Sequence, residues 1–360
     1  MPEAAYDFAI FGSTPLAALL AGLLAADHHK TVCLVSEPSS GFRLPHGFDL
    51  SVMAATRPET WALLKETTSE TLRLLARLHG RPGLQRLDPI FVAETAESAD
   101  ALGHMRHMAH DFGYAVEPLP DGRGPGGVAY RLRDAVLLRR ARLEPILRGW
   151  LEKCGVGLLS THEGAAALRR DGSARLEVHG STIEAAHAVL ADDSAILAHV
   201  AAAERDRTLL LETATALLTA STGPLQAPVM HYVDRGVTLV RDRGGGVTAI
   251  GMGRPELALG RIGGCLAGHS PLRRAGQRIF RTVSTVDGAP LIGSARGVKA
   301  TVLAGLGLSG AFLAPAIARV VAGAAGDREK AYFSAREAGR GNARAMVAEY
   351  AGGGTLEAAS

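Results

Sequence analysis

The chain has 360 residues, which at about 150 residues per domain allows roughly two domains. Hydrophobic residues make up 47% and charged residues 21%, the balance of a chain that buries a core and not of a disordered one. Lys and Arg number 39 against 36 Asp and Glu, a net charge of +3; with no basic stripe and only 5% aromatics, the composition argues against nucleic-acid binding. The three cysteines, Cys33, Cys154 and Cys265, are far apart and form no CxxC pair, which fits a reducing cytoplasm and gives no cysteine-based zinc site.

The N-terminus, Met1 to Asp7, has no basic segment ahead of an apolar run and does not read as a signal peptide. The most apolar stretch, Val302 to Ala325, is broken by Gly305, Gly307, Gly310, Pro315 and Arg319, and reads as a loop followed by a buried helix, not as a membrane span.

Tyr6 to Phe11 is a short β-prone run. Gly12-Ser13-Thr14-Pro15 ends it, and Pro15 to Ala26, rich in Leu and Ala, reads as a helix with proline at its first position, where no N–H is needed. Thr31 to Ser36 is a second apolar strand, followed by Glu37. Strand, glycine turn, helix, strand, acid is the opening of a dinucleotide-binding fold: the turn aims a helix N-terminus at a pyrophosphate, and the acid accepts hydrogen bonds from the ribose. The GxGxxG/A pattern here is Gly12, Thr14, Ala17, so a Cβ stands where the backbone should approach the phosphate most closely.

Further along, Arg57 to Leu78 has the pattern of an amphipathic helix. Ile90 to Ala93 reads as a strand, Glu97 to Phe112 as a helix, Pro118 to Gly127 as a loop and Ala141 to Lys153 as a helix. A strand starts within Cys154 to Leu159, and short strands follow at Ala166–Leu168, Arg175–Val178, Thr182–Glu184 and Ala188–Ala191. Val229–Tyr232, Val237–Arg241 and Val247–Met252 are β-like again. There is no internal repeat. His104, His107 and His110 recur every three residues on a helix; without a liganding carboxylate beyond Asp111 they read as a solvated face.

The C-terminal third carries Thr285-Val286-Asp287-Gly288-Ala289-Pro290-Leu291-Ile292-Gly293. A strand, Thr301 to Ala304, comes next, then Gly305-Leu306-Gly307-Leu308-Ser309-Gly310-Ala311-Phe312-Leu313-Ala314-Pro315. A glycine-rich loop of this kind puts backbone N–H groups at a helix start near Gly310, suited to a flat ring that gains negative charge. Here the sequence resembles the FAD-dependent oxidoreductases of the D-amino-acid oxidase type, which include glycine and sarcosine oxidases and amino-acid dehydrogenase subunits. Their pattern is T-P-D-G-x-P-x-I-G, a strand, then A-x-G-H-G-x-x-G-x-x-x-A-P. The resemblance runs in order along nearly the whole chain.

The resemblance implies a mixed α/β fold, a Rossmann-like FAD-binding domain interleaved with an antiparallel-sheet substrate domain. The first takes residues 1–80, 141–205 and 285–345, the second 81–140 and 206–284. It implies FAD as cofactor, held by Gly12, Ser13, Thr14, Pro15, Ala17, Glu37, Arg43, His46, Gly47, Ala165, Asp192, Gly293, Gly305, Leu306, Gly307, Leu308, Ser309 and Gly310. Phe280, seven before Asp287, stands where sarcosine oxidases carry a flavin-linked cysteine, so the flavin is expected to be non-covalent. His46 stands about where some relatives carry a histidine-linked flavin. The chain departs from the pattern at Thr14, at Val286 for proline, at Leu306 for histidine, and at Asp192-Asp193, where an alanine–glycine pair usually ends the strand beside the cofactor. Aromatic hydroxylases would need a Gly-Asp after the late strand, and Ala304-Gly305-Leu306 has none.

On the substrate side Arg281, His231 and Tyr232 are the candidates. Arg281 lies six before Asp287, one position off the family's carboxylate-binding arginine, and in a strand one position reverses the face. The expected activity is oxidation of a small amine or amino acid by hydride transfer to flavin N5, with no strong base required. The alternatives are a flavoprotein subunit or protein-modifying flavoenzyme acting on a partner protein, and a non-catalytic binding module that retains the fold. The chain is expected to be cytoplasmic, with no nucleic-acid partner and no membrane span.

Overall fold

The computed structural model describes residues 4–37, 44–120, 127–178, 180–201, 207–267, 273–295, 297–341 and 343–350. The first half of the chain runs β1 (Ala4–Phe11), α1 (Pro15–Ala26), β2 (Val32–Ser36), α2 (Pro58–Arg77), β3 (Leu84–Leu87), β4 (Ile90–Ala93), α3 (Ala96–Asp111), β5 (Val116–Pro118), β6 (Val128–Leu132), β7 (Ala135–Leu138) and α4 (Arg140–Lys153). Then come β8 (Gly157–Ser160), β9 (Gly164–Leu168), β10 (Ala174–Val178), β11 (Ser181–Leu190), α5 (Asp193–His199), β12 (Leu209–Thr219), β13 (Val229–Tyr232), β14 (Val237–Arg241), β15 (Val247–Met252) and α6 (Pro255–Cys265). The chain ends with β16 (Arg274–Thr285), β17 (Leu291–Ala295), β18 (Val298–Ala304), a 3-10 segment Gly307–Leu313, α7 (Ala314–Val321), α8 (Asp327–Ser334) and α9 (Ala343–Val347).

These strands build two large sheets. The first has the order β17-β18-β11-β1-β2-β8, with β10 and β9 attached to β11 as an antiparallel meander. β18, β11, β1, β2 and β8 run parallel, as their pairings record, and β17 is antiparallel at the edge. The second sheet has the order β16-β12-β15-β14-β13-β4-β6-β5 and is antiparallel except where β13 meets β4. β3 and β7 form a separate ribbon.

α1 is apolar on every side because it is covered on every side. It packs between the first sheet, Trp150 of α4 and Ile317 of α7, in one core with Leu63 and Leu75 of α2. β11 shows how tertiary pairing overrides local pattern. The sequence reads two short strands around Ala185-Ala186-His187; the structure has one strand of 10 residues. β1 runs alongside it from Ile183 to Leu190, while β10 takes its first half and β18 its last two residues on the other side. β12 and α6 go unread in the sequence, since Leu209–Thr219, rich in Leu, Ala and Thr, has no alternation, and its buried positions are scattered. The stretch Val302 to Ala325 is a buried strand, loop and helix, and among the described residues no helix is long and apolar enough to cross a membrane. His104, His107 and His110 are exposed on α3, residues 121–126 of the Pro118 to Gly127 loop lie outside the described residues, and the three cysteines are free thiols.

The Asp287 of the C-terminal signature has a structural task. Arg340 grips it with two bonds, Nε to Oδ2 at 2.9 Å and Nη2 to Oδ1 at 2.6 Å, the two side chains being 1% and 3% exposed. The remaining Arg340 donors reach the carbonyls of Pro290, Arg336 and Ala289, so the buried pair is fully hydrogen-bonded. It ties the C-terminal segment to the turn between β16 and β17. Arg340→Leu leaves the buried Asp287 carboxylate with only the more distant Arg344, its Nε 3.8 Å away, and is expected to cost about 3 kcal/mol, read as a lower urea midpoint at neutral pH.

Candidate functional site

The carboxyl ends of β18, β11, β1 and β2 lie side by side, and the turns that leave them gather at the place where open α/β sheets of this kind have their ligand crevice. At the first turn the Gly12 N–H donates to the Val35 carbonyl at 3.0 Å, and Thr14 caps α1, its Oγ1 accepting the Ala17 N–H at 3.3 Å. Pro15 follows at the first helical position. Ser13 Oγ accepts the Glu37 N–H at 2.9 Å and so couples this turn to the end of β2. A Cβ on Gly12 would stand 3.0 Å from Ala17 Cβ and 3.2 Å from Asp192 Oδ2, which explains why positions 12 and 17 are both small. Asp192 reaches into this turn from the end of β11. Its Oδ2 accepts the Ser13 N–H at 2.6 Å while its Oδ1 caps α5 through the Ala195 N–H at 2.9 Å. One carboxylate therefore bridges two helix N-termini. Burial raises its pKa, the Ser13 and Ala195 N–H groups draw it back down, and the Glu37 charge adds to the rise. Asp193, next along, is pushed up to about 6 by burial, against hydrogen bonds from Thr282 and the Val283 N–H.

The second turn is the loop after β18. Gly305 and Gly307 have φ of 66° and 55°, a left-handed path that glycine takes without strain. Leu306, 8% exposed, turns into the core under α1, so the position that the family gives to histidine is spent here on packing. The segment after residue 43 lies along this loop: the Leu50 N–H donates to the Leu308 carbonyl at 2.7 Å, and Ser309 Oγ donates to the Leu50 carbonyl at 2.9 Å. Half-buried Asp49 faces the Ala311 N–H of the 3-10 segment. Burial pushes its carboxyl up to about 6, opposed by the Arg140 charge and that N–H group.

One face of the second sheet packs on the segment that lies along these turns. A continuous row crosses it through the strand registers: Arg278, Ala216, Ile250, Thr238, His231, Phe91 and Tyr130. Phe280, Ala214 and Met252 form the next row on the same face. Leu44 and Phe48 pack on Phe280 and Ile250, and the His46 ring stacks on Phe280 at 4.4 Å and 16°. Phe48, Met53 and Leu308 pack on the cluster of Phe91 and Val240, which joins this face to the glycine loop. His231 Nδ1 lies 2.9 Å from Thr238 Oγ1, with the ring edge-on to Phe91. Burial lowers its pKa to about 4, so the imidazole is neutral at pH 7.

The substrate-side candidates part company here. Tyr232 points to the other face, 2% exposed and packed with Val92, Val237 and Ile262 of α6, so it does not stand beside His231 in the crevice. Arg281 also projects from the other face of β16, exposed, opposite Thr213. The arginine on the crevice face is Arg278, which shares parity with buried Phe280; counting in twos from that phenylalanine is the signal that finds it. Among the cofactor candidates, Gly12, Ser13, Thr14, Pro15, Ala17, Glu37 and Asp192 meet at the first turn, and Gly305 to Gly310 form the second. Gly47 is exposed. Gly293 lies in β17 opposite Val302, with Glu337 3.2 Å from where its Cβ would be. Ala165 is exposed on β9 opposite Glu177, and Arg43 lies outside the described residues. Among the described residues no group of His, Cys, Asp and Glu is placed to hold a metal.

The raised Asp49 value has a stability consequence. The folded state keeps this proton up to about pH 6, while the unfolded chain releases it near about pH 4. The stabilising contribution is therefore complete below about pH 4 and is lost as pH rises through about 6. Asp49→Asn keeps an acceptor for the Ala311 N–H and is expected to gain about 1–2 kcal/mol above pH 7 and nothing below about pH 4, measured by urea unfolding at both ends.

No family model matches the chain, and no curated protein matches it in sequence. Solved structures do match in three dimensions. The glycine oxidase from Geobacillus kaustophilus is 18% identical with a TM-score of 0.66, over 89% of this chain and 94% of that one. The L-proline dehydrogenase from P. horikoshii is 14% identical with a TM-score of 0.68, over 92% and 97%. NikD, an unusual amino acid oxidase essential for nikkomycin biosynthesis, is 14% identical with a TM-score of 0.69, over 92% and 97%. The chain therefore has, over almost its whole length, the fold of the D-amino-acid oxidase type that these amine and amino-acid oxidases and dehydrogenases share.

Proposed function

We propose that the chain oxidises a small amine or amino acid, with FAD as a non-covalent cofactor in the crevice between the two glycine turns. The observation that carries this reading is that the sheet face of Phe280, His231 and Phe91 is joined through Phe48, Met53 and Leu308 to the glycine loop, which stands beside a dinucleotide-type turn.

The residues present fit a flavin dinucleotide at two of three points. Glu37 ends β2 beside the first turn, where an adenosine ribose is recognised. The left-handed path through Gly305 and Gly307 leaves backbone open to a flat ring, and Gly307 is exposed to solvent. At the third point, the diphosphate turn, the Ser13 N–H is taken by Asp192.

A bound flavin supplies the acceptor for a hydride from the carbon bearing the substrate nitrogen. The chain's own part is to bind, orient and keep water out. Ala214, Ala216 and Ile250 give the crevice a small apolar roof, so a substrate pressed against it meets no competing solvent. Arg278 at the end of that roof offers a planar, two-pronged partner for a substrate carboxylate. Neutral His231, held by Thr238, can accept or donate one hydrogen bond without placing a second positive charge beside a substrate that must present a neutral amine.

The purified protein, reconstituted with FAD, is expected to show a flavin absorption band that stays in solution after acid precipitation and bleaches without oxygen on adding an amino acid or secondary amine. A bound flavin that no member of such a panel bleaches would overturn the reading. For a carboxylate-bearing substrate, Arg278→Gln should raise KM about 10–100-fold, the value of a charged hydrogen bond, while Arg281→Gln changes it less than about 2-fold.

A further inference from the structure

We propose that Asp192 is an internal substitute for phosphate: its carboxylate fills the anion-binding turn at Gly12–Thr14, and a dinucleotide diphosphate binds only by turning that side chain out. The inference rests on the flavin reading for its natural ligand, but the turn and its occupant can be tested without a flavin.

The geometry is specific. The first turn of a βαβ unit binds an anion with its free N–H groups and the positive end of its helix dipole. Here Asp192 Oδ2 takes the Ser13 N–H at 2.6 Å, and the same oxygen lies 3.2 Å from the point where a Gly12 Cβ would stand. The carboxylate is thus seated in the turn and not merely near it. The cap of α5 needs only Oδ1, which accepts the Ala195 N–H at 2.9 Å, and a serine would serve that end as well. The reach of Oδ2 to α1 is additional to what α5 requires.

The electrostatics run the same way. Asp192 is faced by Glu37 from the end of β2, by Asp193 beside it and by Arg140 from the start of α4. Arg140 is the one cation among these charged neighbours, and it also faces Asp49. A diphosphate entering the turn meets an ionised Asp192 as a like charge, and the two cannot share the Ser13 N–H. Protonation of Asp192 removes that repulsion while the ligand stays anionic, so affinity rises as pH falls. Asp193, which faces Thr282 and Val283, is itself raised in part by the Asp192 charge, and it is present in wild type and variants alike.

The test uses the full chain stripped of cofactor. FAD binding is followed by flavin fluorescence and ADP binding by calorimetry, for wild type, Asp192→Ser and Asp192→Asn, at about pH 8 and about pH 6. Both variants keep a cap for α5, and their unfolding midpoints check the fold. We expect Asp192→Ser to bind both ligands at least about 10-fold more tightly than wild type at the higher pH, with Asn in between. Wild type should gain affinity on moving to the lower pH, and the serine variant should gain less. Equal affinity of wild type and variants for both ligands overturns the proposal, as does absence of binding by all three. A gain for ADP with no FAD binding by any protein upholds it and removes the flavin reading. FAD binding that is equal in all three does the reverse.

Discussion

Helix starts leave N–H groups without partners, and this fold collects several of them in one place. α1, α5 and the 3-10 segment ahead of α7 all begin at the carboxyl edge of the parallel strands. Their donors point into a crevice where backbone partners are absent, so oxygens must come from side chains or from a ligand. The chain supplies side-chain oxygens for two of these starts: Thr14 Oγ1 for α1, and Asp192, through Oδ2 and Oδ1, for the turn before α1 and for α5; Asp49 lies against Ala311 within the 3-10 segment. The crevice is thereby lined with carboxyl groups held above their ordinary pKa by burial. Arg140 is the cation that faces two of them.

The second sheet meets this crevice with a face chosen by parity. In β16 Gly276 and Phe280 look inward at Leu44, His46 and Phe48, with Arg278 on the same parity, and odd-numbered residues from Ala275 to Arg281 look outward. The same alternation puts His231 on the crevice side of β13 and Tyr232 against α6. Ala214 and Ala216 are buried in one cluster with Ile250 and Phe280, and Arg278 stands in register with Ala216 at one end of the row. The row is thus apolar in the middle and polar at its ends.

The departures from the family pattern acquire separate explanations once the packing is seen. Leu306 fills core space beneath α1, and Val286 donates its N–H to the Thr208 carbonyl at 2.9 Å, a bond that proline could not make. Thr14 serves as the cap of α1. Asp192 differs in kind from these three, because its side chain enters the site instead of supporting it.

How much could be read without coordinates depended on the range of the interactions. The first βαβ unit was legible because its signals are local: a glycine turn, a proline at the helix start, an apolar strand and an acid. The glycine loop near residue 305 was legible for the same reason, and so were the short strands at 229, 237 and 247, whose β-prone runs and turns lie within a few residues. What the sequence by itself determined, then, is the fold class and the two turns that bound the crevice. The tertiary structure decided the rest: that β11 is one strand, that β12 joins the second sheet, that Arg278 and not Arg281 faces inward, and that Asp192 sits in the anion turn. Each of these turns on which strand lies alongside which, or on a contact such as that between Ser13 and Asp192, 179 residues apart. No local propensity records such a contact, because the energy that selects it comes from pairing and burial that exist only when the distant segments have met.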